Sequence, residues 1–138
     1  MQAPQRPHIE GSQEDKKRVL NKALMRAAER LNLSRQELSA IIGPSESSLS
    51  RLFNEAKNRS ANQANFFLDP NSKEGQLAIL LLRLYRSLDV LFGGNEKQCQ
   101  LWLRSENTHL QGVPIELIKK IEGLIFVIQY LDAMRGKN

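Results

Sequence analysis

The side chains that perform covalent or metal chemistry are few and scattered in this sequence. There are two histidines, His8 and His109, and one cysteine, Cys99. Neither histidine has a partner at ligand spacing, and Cys99 stands alone. No glycine run is built to cradle a phosphate, since Gly93-Gly94 reads as the end of a helix. These residues make no catalytic set and call for no cofactor or metal, so the reading is against an enzyme. Recognition chemistry fits better. Leu33–Asn54, LSRQELSAIIGPSESSLSRLFN, has the layout of a helix-turn-helix: Leu38, Ile42, Leu49 and Leu52 knit two helices, Ser39 is the small residue at their crossing, and Gly43 makes the turn. Such a unit sets its second helix in the major groove while helix N-termini meet phosphates. A helical hairpin with no DNA contact is the competing reading.

The elements that must hold this unit are helical. Residues 1–11 contain two prolines and a glycine and read as a disordered arm. Ser12 with Asp15 caps an amphipathic helix whose Val19, Leu20, Ala23, Leu24, Ala27 and Leu31 recur at three- and four-residue spacing. Ser34 with Glu37 is a capping box for a short helix ending at Ile42 and Gly43, and Ser45 starts the next. Asn54–Asn65 has no clear period and reads as a hinge, with Phe66, Phe67 and Leu68 anchoring its end. Asp69 is the expected N-cap before Pro70. Leu77, Leu80, Leu81, Leu84, Leu88 and Leu91 form one strong stripe, stopped by Gly93-Gly94, and Asn95 caps the Trp102 segment. Nothing alternates with a two-residue period for long enough to suggest a sheet. The fold class is all-α, with a helix-turn-helix unit over 12–65 and a small helical domain over 66–138.

Leu101–Gly123 is the most specific stretch. Trp102 and Leu103 close a short amphipathic segment, a polar connector carries Asn107, Leu110 and Gly112, and Pro114 opens a new helix. Trp102, the only tryptophan, is expected to supply the bulk of a small core, joined by Leu110, Gly112, Pro114 and Leu117. Gly112 is expected to take a positive φ or to lie close to another segment. The order Trp102-Leu103, Asn107, Leu110, Gly112, Pro114, Leu117-Ile118, Gly123 resembles the toxin-binding domain of the Xre/MbcA/ParS antitoxins, partners of RES-type toxins. The likeness extends over roughly Leu68 to Gly136. Val113 departs from it, standing where the family usually carries a polar residue that can cap a helix. The helix-turn-helix resembles the phage-repressor, Xre/Cro-like class. That resemblance implies that Glu46, Ser47, Ser50 and Arg51 face bases, with Ser45, Arg35 and Gln36 near the backbone. Glu46 can accept from a cytosine amino group, or it can simply complement the helix dipole.

Ile121, Leu124, Ile125, Phe126, Val127, Ile128, Tyr130, Leu131 and Met134 leave few polar positions in the final helix. A helix apolar all round must be covered on several sides, so it is read both as a core helix and as a contact with another chain. With the resemblance, this apolar helix is read as offering Ile125–Leu131, including Ile128, Tyr130 and Leu131, for affinity to the toxin, and Ala133–Asn138, including Met134, for occlusion. Arg135, Gly136, Lys137 and Asn138 then enter its NAD-binding pocket.

Charge and compartment agree with this reading. The net charge is +5; residues 1–60 carry 11 Lys/Arg against 7 Asp/Glu, and residues 61–138 carry 9 against 8. A basic front half suits a phosphate backbone. One cysteine allows no intrachain disulfide, the N-terminus lacks the apolar core of a signal peptide, and no apolar run approaches the roughly 20 residues that span a bilayer. The expectation is a cytoplasmic antitoxin that binds operator DNA and a RES-domain toxin, forms a homodimer, and has neither a membrane role nor a small-molecule substrate of its own. A stand-alone helical regulator whose C-terminal domain only dimerises is the alternative, and a helical adaptor with no DNA role is a third.

Overall fold

Helix signals in the sequence become seven helices in the structure, a computed structural model that describes residues 12–57 and 68–136. They are α1 (Gln13–Arg30), α2 (Arg35–Ile42), α3 (Glu46–Lys57), α4 (Lys73–Leu91), α5 (Glu96–Arg104), α6 (Pro114–Leu117) and α7 (Ile121–Gly136). The expected arm, residues 58–65 of the hinge, Phe66, Phe67, Lys137 and Asn138 lie outside the described residues. Among the described residues there is no strand beyond one isolated bridge, Asn107 to Gly112, and no helix is long and apolar enough to cross a membrane.

The caps sit where their side chains demand. Ser12 with Asp15 and Ser34 with Glu37 form complete capping boxes, and Asn95 accepts from Gln98 N–H at 3.1 Å. Gly43 takes φ +109 at the α2–α3 turn, a conformation closed to most side chains. One cap and one helix end differ from expectation. The N-cap of α4 is Ser72, which accepts from Gly75 N–H at 3.0 Å; Asp69 instead accepts from Asn71 N–H at 2.9 Å, an Asx turn one step upstream. α3 continues through Lys57, so the first residues of the expected hinge are helical.

α4 is the central element. It packs against α1 and α2 on one side and α7 on the other, burying Ala78, Leu81, Leu84 and Leu88. A single core therefore runs from Leu24 and Leu38 through Leu81 and Leu88 to Leu124 and Leu131. Asn21, inside that core, has its amide fully used. Nδ2 donates to the carbonyls of Lys17 (2.6 Å) and Leu68 (3.1 Å), and Oδ1 accepts from Leu68 N–H at 3.0 Å. The backbone leading into α4 is thus pinned to α1. Val19, expected in the apolar stripe of α1, is 69% exposed; Leu20, Leu24, Ala27, Ala28 and Leu31 form the buried face instead.

In the connector, Asn107 and Gly112 exchange backbone hydrogen bonds at 2.9 and 3.3 Å, and Leu110 is buried. The positive φ expected at Gly112 belongs to Gln111, at +58°; Gly112 meets the second half of its expectation by lying against the Leu117 side chain. Gly123 falls within the first turn of α7. A Cβ there would stand 1.9 Å from the Leu117 carbonyl oxygen, so the α6–α7 corner needs a glycine.

Candidate functional site

Two surfaces gather the residues of interest. The first is the outer face of α3. Ser45 caps this helix, its Oγ accepting from Ser48 N–H at 3.1 Å and lying 2.9 Å from Ser48 Oγ. Leu49, Leu52 and Phe53 turn inward against Leu38 and Ile42, all of them buried. The helical period then leaves Glu46, Ser47, Ser50 and Arg51 on the opposite side, where Glu46, Ser47 and Arg51 are exposed and Ser50 is half-buried. Asn54 is exposed on the same face, four residues beyond Ser50. The sequence sets it both at the end of the helix-turn-helix and at the start of the hinge; the structure places it within α3. Ser45 and Gln36 are also exposed. Arg35 stacks its guanidinium on the Phe53 ring, 3.6 Å from the centroid. That cation–π contact fixes Arg35 at the seam between α2 and α3 while leaving its charge near the surface.

The N-terminus of α2 is held from a distance. Arg104 of α5 makes a bidentate pair with Glu37, both N–O distances being 2.8 Å, and donates to the Asn32 carbonyl at 2.8 Å. Asn32 takes φ +56 at the α1–α2 turn, which asparagine tolerates. Glu37 also accepts from Ser34 N–H at 2.9 Å. The Arg104 guanidinium, helped by Ser34, holds the Glu37 carboxyl down to about 2 against the opposing effect of burial. One and two turns earlier on α5, Gln100 donates to the Arg30 carbonyl at 2.8 Å and Glu96 lies 3.8 Å from the Arg30 guanidinium. An open groove of about 520 Å³ lies here, lined by Asn32, Leu33, Ser34, Gln36, Glu37, Arg104 and Lys119.

The second surface is on α7. Its apolar residues divide between two sides. Leu124, Val127, Ile128 and Leu131 are buried, and Ile121, Ile125, Phe126 and Met134 are exposed. Ile128 and Leu131, expected on a partner-facing surface, are 2% and 0% exposed; they belong to the core, whose other wall is α4. Ile125, Tyr130 and Met134 do reach the surface, Tyr130 half-buried. Phe126, inside the expected Ile125–Leu131 surface, is exposed as well. Phe126, Tyr130 and Met134 follow one another at four-residue spacing, so they form a stripe.

Trp102 packs against the edge of the core and joins it to this stripe. It is only half-buried and stacks on Tyr130, with centroids 6.4 Å apart and 16° between planes. The His109 ring lies on Tyr130 at 6.1 Å. Leu103, its neighbour, is the fully buried residue of α5, beside Cys99, whose thiol is pushed up by burial and then by Asp89. Leu110, Pro114, Ile115 and Ile118 fill the core expected around the ring, and Leu117 and Gly112 lie at its edge. Val113 precedes Pro114 with no side-chain cap bond.

At the end of α7, Asp132 pairs with Arg83 and accepts from the buried Ser87 hydroxyl at 3.3 Å; Arg135 donates to that hydroxyl at 3.1 Å. The last turn is thereby tied to α4. An open groove of about 560 Å³ lies beside it, lined by Val90, Leu91, Asp132, Arg135 and Gly136.

These two surfaces coincide with two matches among family models. Residues 10–83 match the antitoxin Xre-like helix-turn-helix domain. Residues 87–137 match the antitoxin Xre/MbcA/ParS C-terminal toxin-binding domain. No curated protein matches the chain.

Proposed function

We propose, from the premise that this chain belongs to the Xre-like helix-turn-helix antitoxins, a division of labour between its two surfaces. The protein is an antitoxin with a DNA-binding helix-turn-helix and a toxin-binding domain. On our reading the toxin is of the RES type and consumes NAD. The antitoxin sequesters it and represses the shared operon in the cytoplasm, as a homodimer. Residues 12–65 serve DNA and 66–138 serve the toxin, while α4 packs against helices of both.

The observation that carries the reading is the stripe of exposed Phe126, half-buried Tyr130 and exposed Met134, flanked by Trp102 and His109, inside the segment that matches the toxin-binding domain. Interface centres are enriched in aromatic residues and methionine. Beyond the stripe, Arg135 and the chain end are the proposed plug. Their polar groups stand in for those of the cofactor in the toxin's pocket, and the Ser87 contact holds the last turn in place before binding, which lowers the ordering cost. On DNA, Arg51, Ser47, Ser50, Glu46 and Asn54 are the proposed base-facing set, with Ser45, Arg35 and Gln36 at phosphates.

The test is co-expression with the neighbouring gene product, followed by pull-down and an NAD-consumption assay. Full-length complex is expected to be silent. A chain lacking Arg135–Asn138 is expected to stay bound while NAD consumption returns. A truncated complex that remains silent rejects the plug. A chain that binds its upstream DNA and captures no neighbour supports the stand-alone regulator instead.

A further inference from the structure

The first turn of α2 carries an acid where a DNA-binding unit would least want one. Glu37 follows directly on Arg35 and Gln36, the two residues proposed for phosphate contact, and it lines the same groove as Gln36. Its carboxylate is ionised at neutral pH, since it titrates at about 2. An uncovered carboxylate at the end of α2 that meets a phosphate backbone would repel it.

The charge is covered, and the cover comes from elsewhere in the chain. Arg104 lies on α5, within the segment that matches the toxin-binding domain, 67 positions from Glu37. Both carboxylate oxygens are engaged at 2.8 Å, and the same guanidinium holds the Asn32 carbonyl. Bidentate pairs of this kind fix geometry as well as charge. The placement is not the accident of one flexible arm. Glu96, Gln100 and Arg104 are spaced by one helical turn each, and all three touch the end of α1 or the start of α2.

We infer that Arg104, although it belongs to the toxin-binding segment, is a positioning residue for DNA binding: it masks Glu37 and fixes the phosphate-facing turn of α2. Lys119, on the rim of the same groove, is already engaged by Glu116 at 3.0 Å and does not supply the cover. The inference rests on the DNA-binding reading above. It adds that the helix-turn-helix is incomplete without α5.

The experiment uses full-length protein and the duplex upstream of its own reading frame, titrated at several salt concentrations. Arg104→Ala is expected to weaken binding about ten-fold or more, within the range of one lost contact. The Glu37→Gln, Arg104→Ala double variant is expected to return to within about three-fold of the parent, because glutamine still completes the capping box without the charge. The slope of log affinity against log salt should stay parental in Arg104→Ala, whereas a residue touching phosphate directly would lower it by about one. Pull-down of the neighbouring gene product should be unchanged. Should Arg104→Ala melt below the assay temperature, Glu37→Gln alone decides, with parental or tighter binding expected. Parental binding by Arg104→Ala, an unrescued double variant, a reduced salt slope, or weakened binding by Glu37→Gln would each overturn the inference. A parent chain that binds no upstream DNA would overturn the DNA-binding reading instead, and this inference with it.

Discussion

At the scale of single residues, burial separates side chains that composition cannot. Trp102 and Leu103 are adjacent, and the sequence favours the tryptophan as the centre of a core. The structure gives Leu103 that place and leaves Trp102 half-buried at the edge of the core, stacked on Tyr130. Leu103→Ala is therefore expected to cost about 2–5 kcal/mol through the cavity it leaves. Trp102→Ala should cost about 1–2 kcal/mol, near the value of an aromatic pair and some lost area. Urea unfolding of both variants checks the order; a tryptophan variant less stable than the leucine one would return the ring to the core. The same blindness explains Ile128 and Leu131. A helix with apolar residues all round offers no polar contrast from which to read its inward side, and only α4 and α6, which pack against it, decide it. Caps were more legible, because Ser12, Ser34 and Asn95 bond to backbone three residues away and need no partner from the rest of the fold.

At the scale of elements, helix starts and stops followed local chemistry, and contacts between distant elements did not show in advance. Nothing in the pattern around Arg104 pointed to Glu37. The ion pair carries its own pH signature. Glu37 ordinarily titrates near 4.5 and is held at about 2 in the fold. A carboxyl depressed in the folded state adds stability above its unfolded value, and that stability is lost as pH falls toward the folded one. The melting-point gap between the parent and Glu37→Gln is thus expected to be full above about pH 4.5 and to narrow as pH approaches 2. A gap that is constant with pH would mean the pair adds no net stability. The α6–α7 corner makes a steric prediction of the same scale. Gly123→Ala sets a methyl group against the Leu117 carbonyl, so it should cost about 1–3 kcal/mol and lower the melting temperature. A variant as stable as the parent would show that the corner can open without penalty.

At the scale of the whole molecule, the helix-turn-helix and the toxin-binding domain share one core through α4, and the boundary between the two family matches falls within that helix. The all-α class was legible from periodicity alone. That α4 serves both sides was not, since its stripe specifies an apolar face and not which neighbours cover it. The amide of Asn21, closed on both backbone groups of Leu68, has a consequence for how such chains can be recombined. A front piece ending near Lys57 and a back piece beginning near Leu68 already carry the groups that recognise each other: Asn21 for Leu68, and Glu37 for Arg104. Expressed as two separate polypeptides, they are expected to reassemble and co-elute, and Asn21→Leu in the front piece should abolish this by leaving the Leu68 peptide group unsatisfied. For the same reason a front piece borrowed from another antitoxin should dock only if it brings an amide at this position and an acid opposite Arg104.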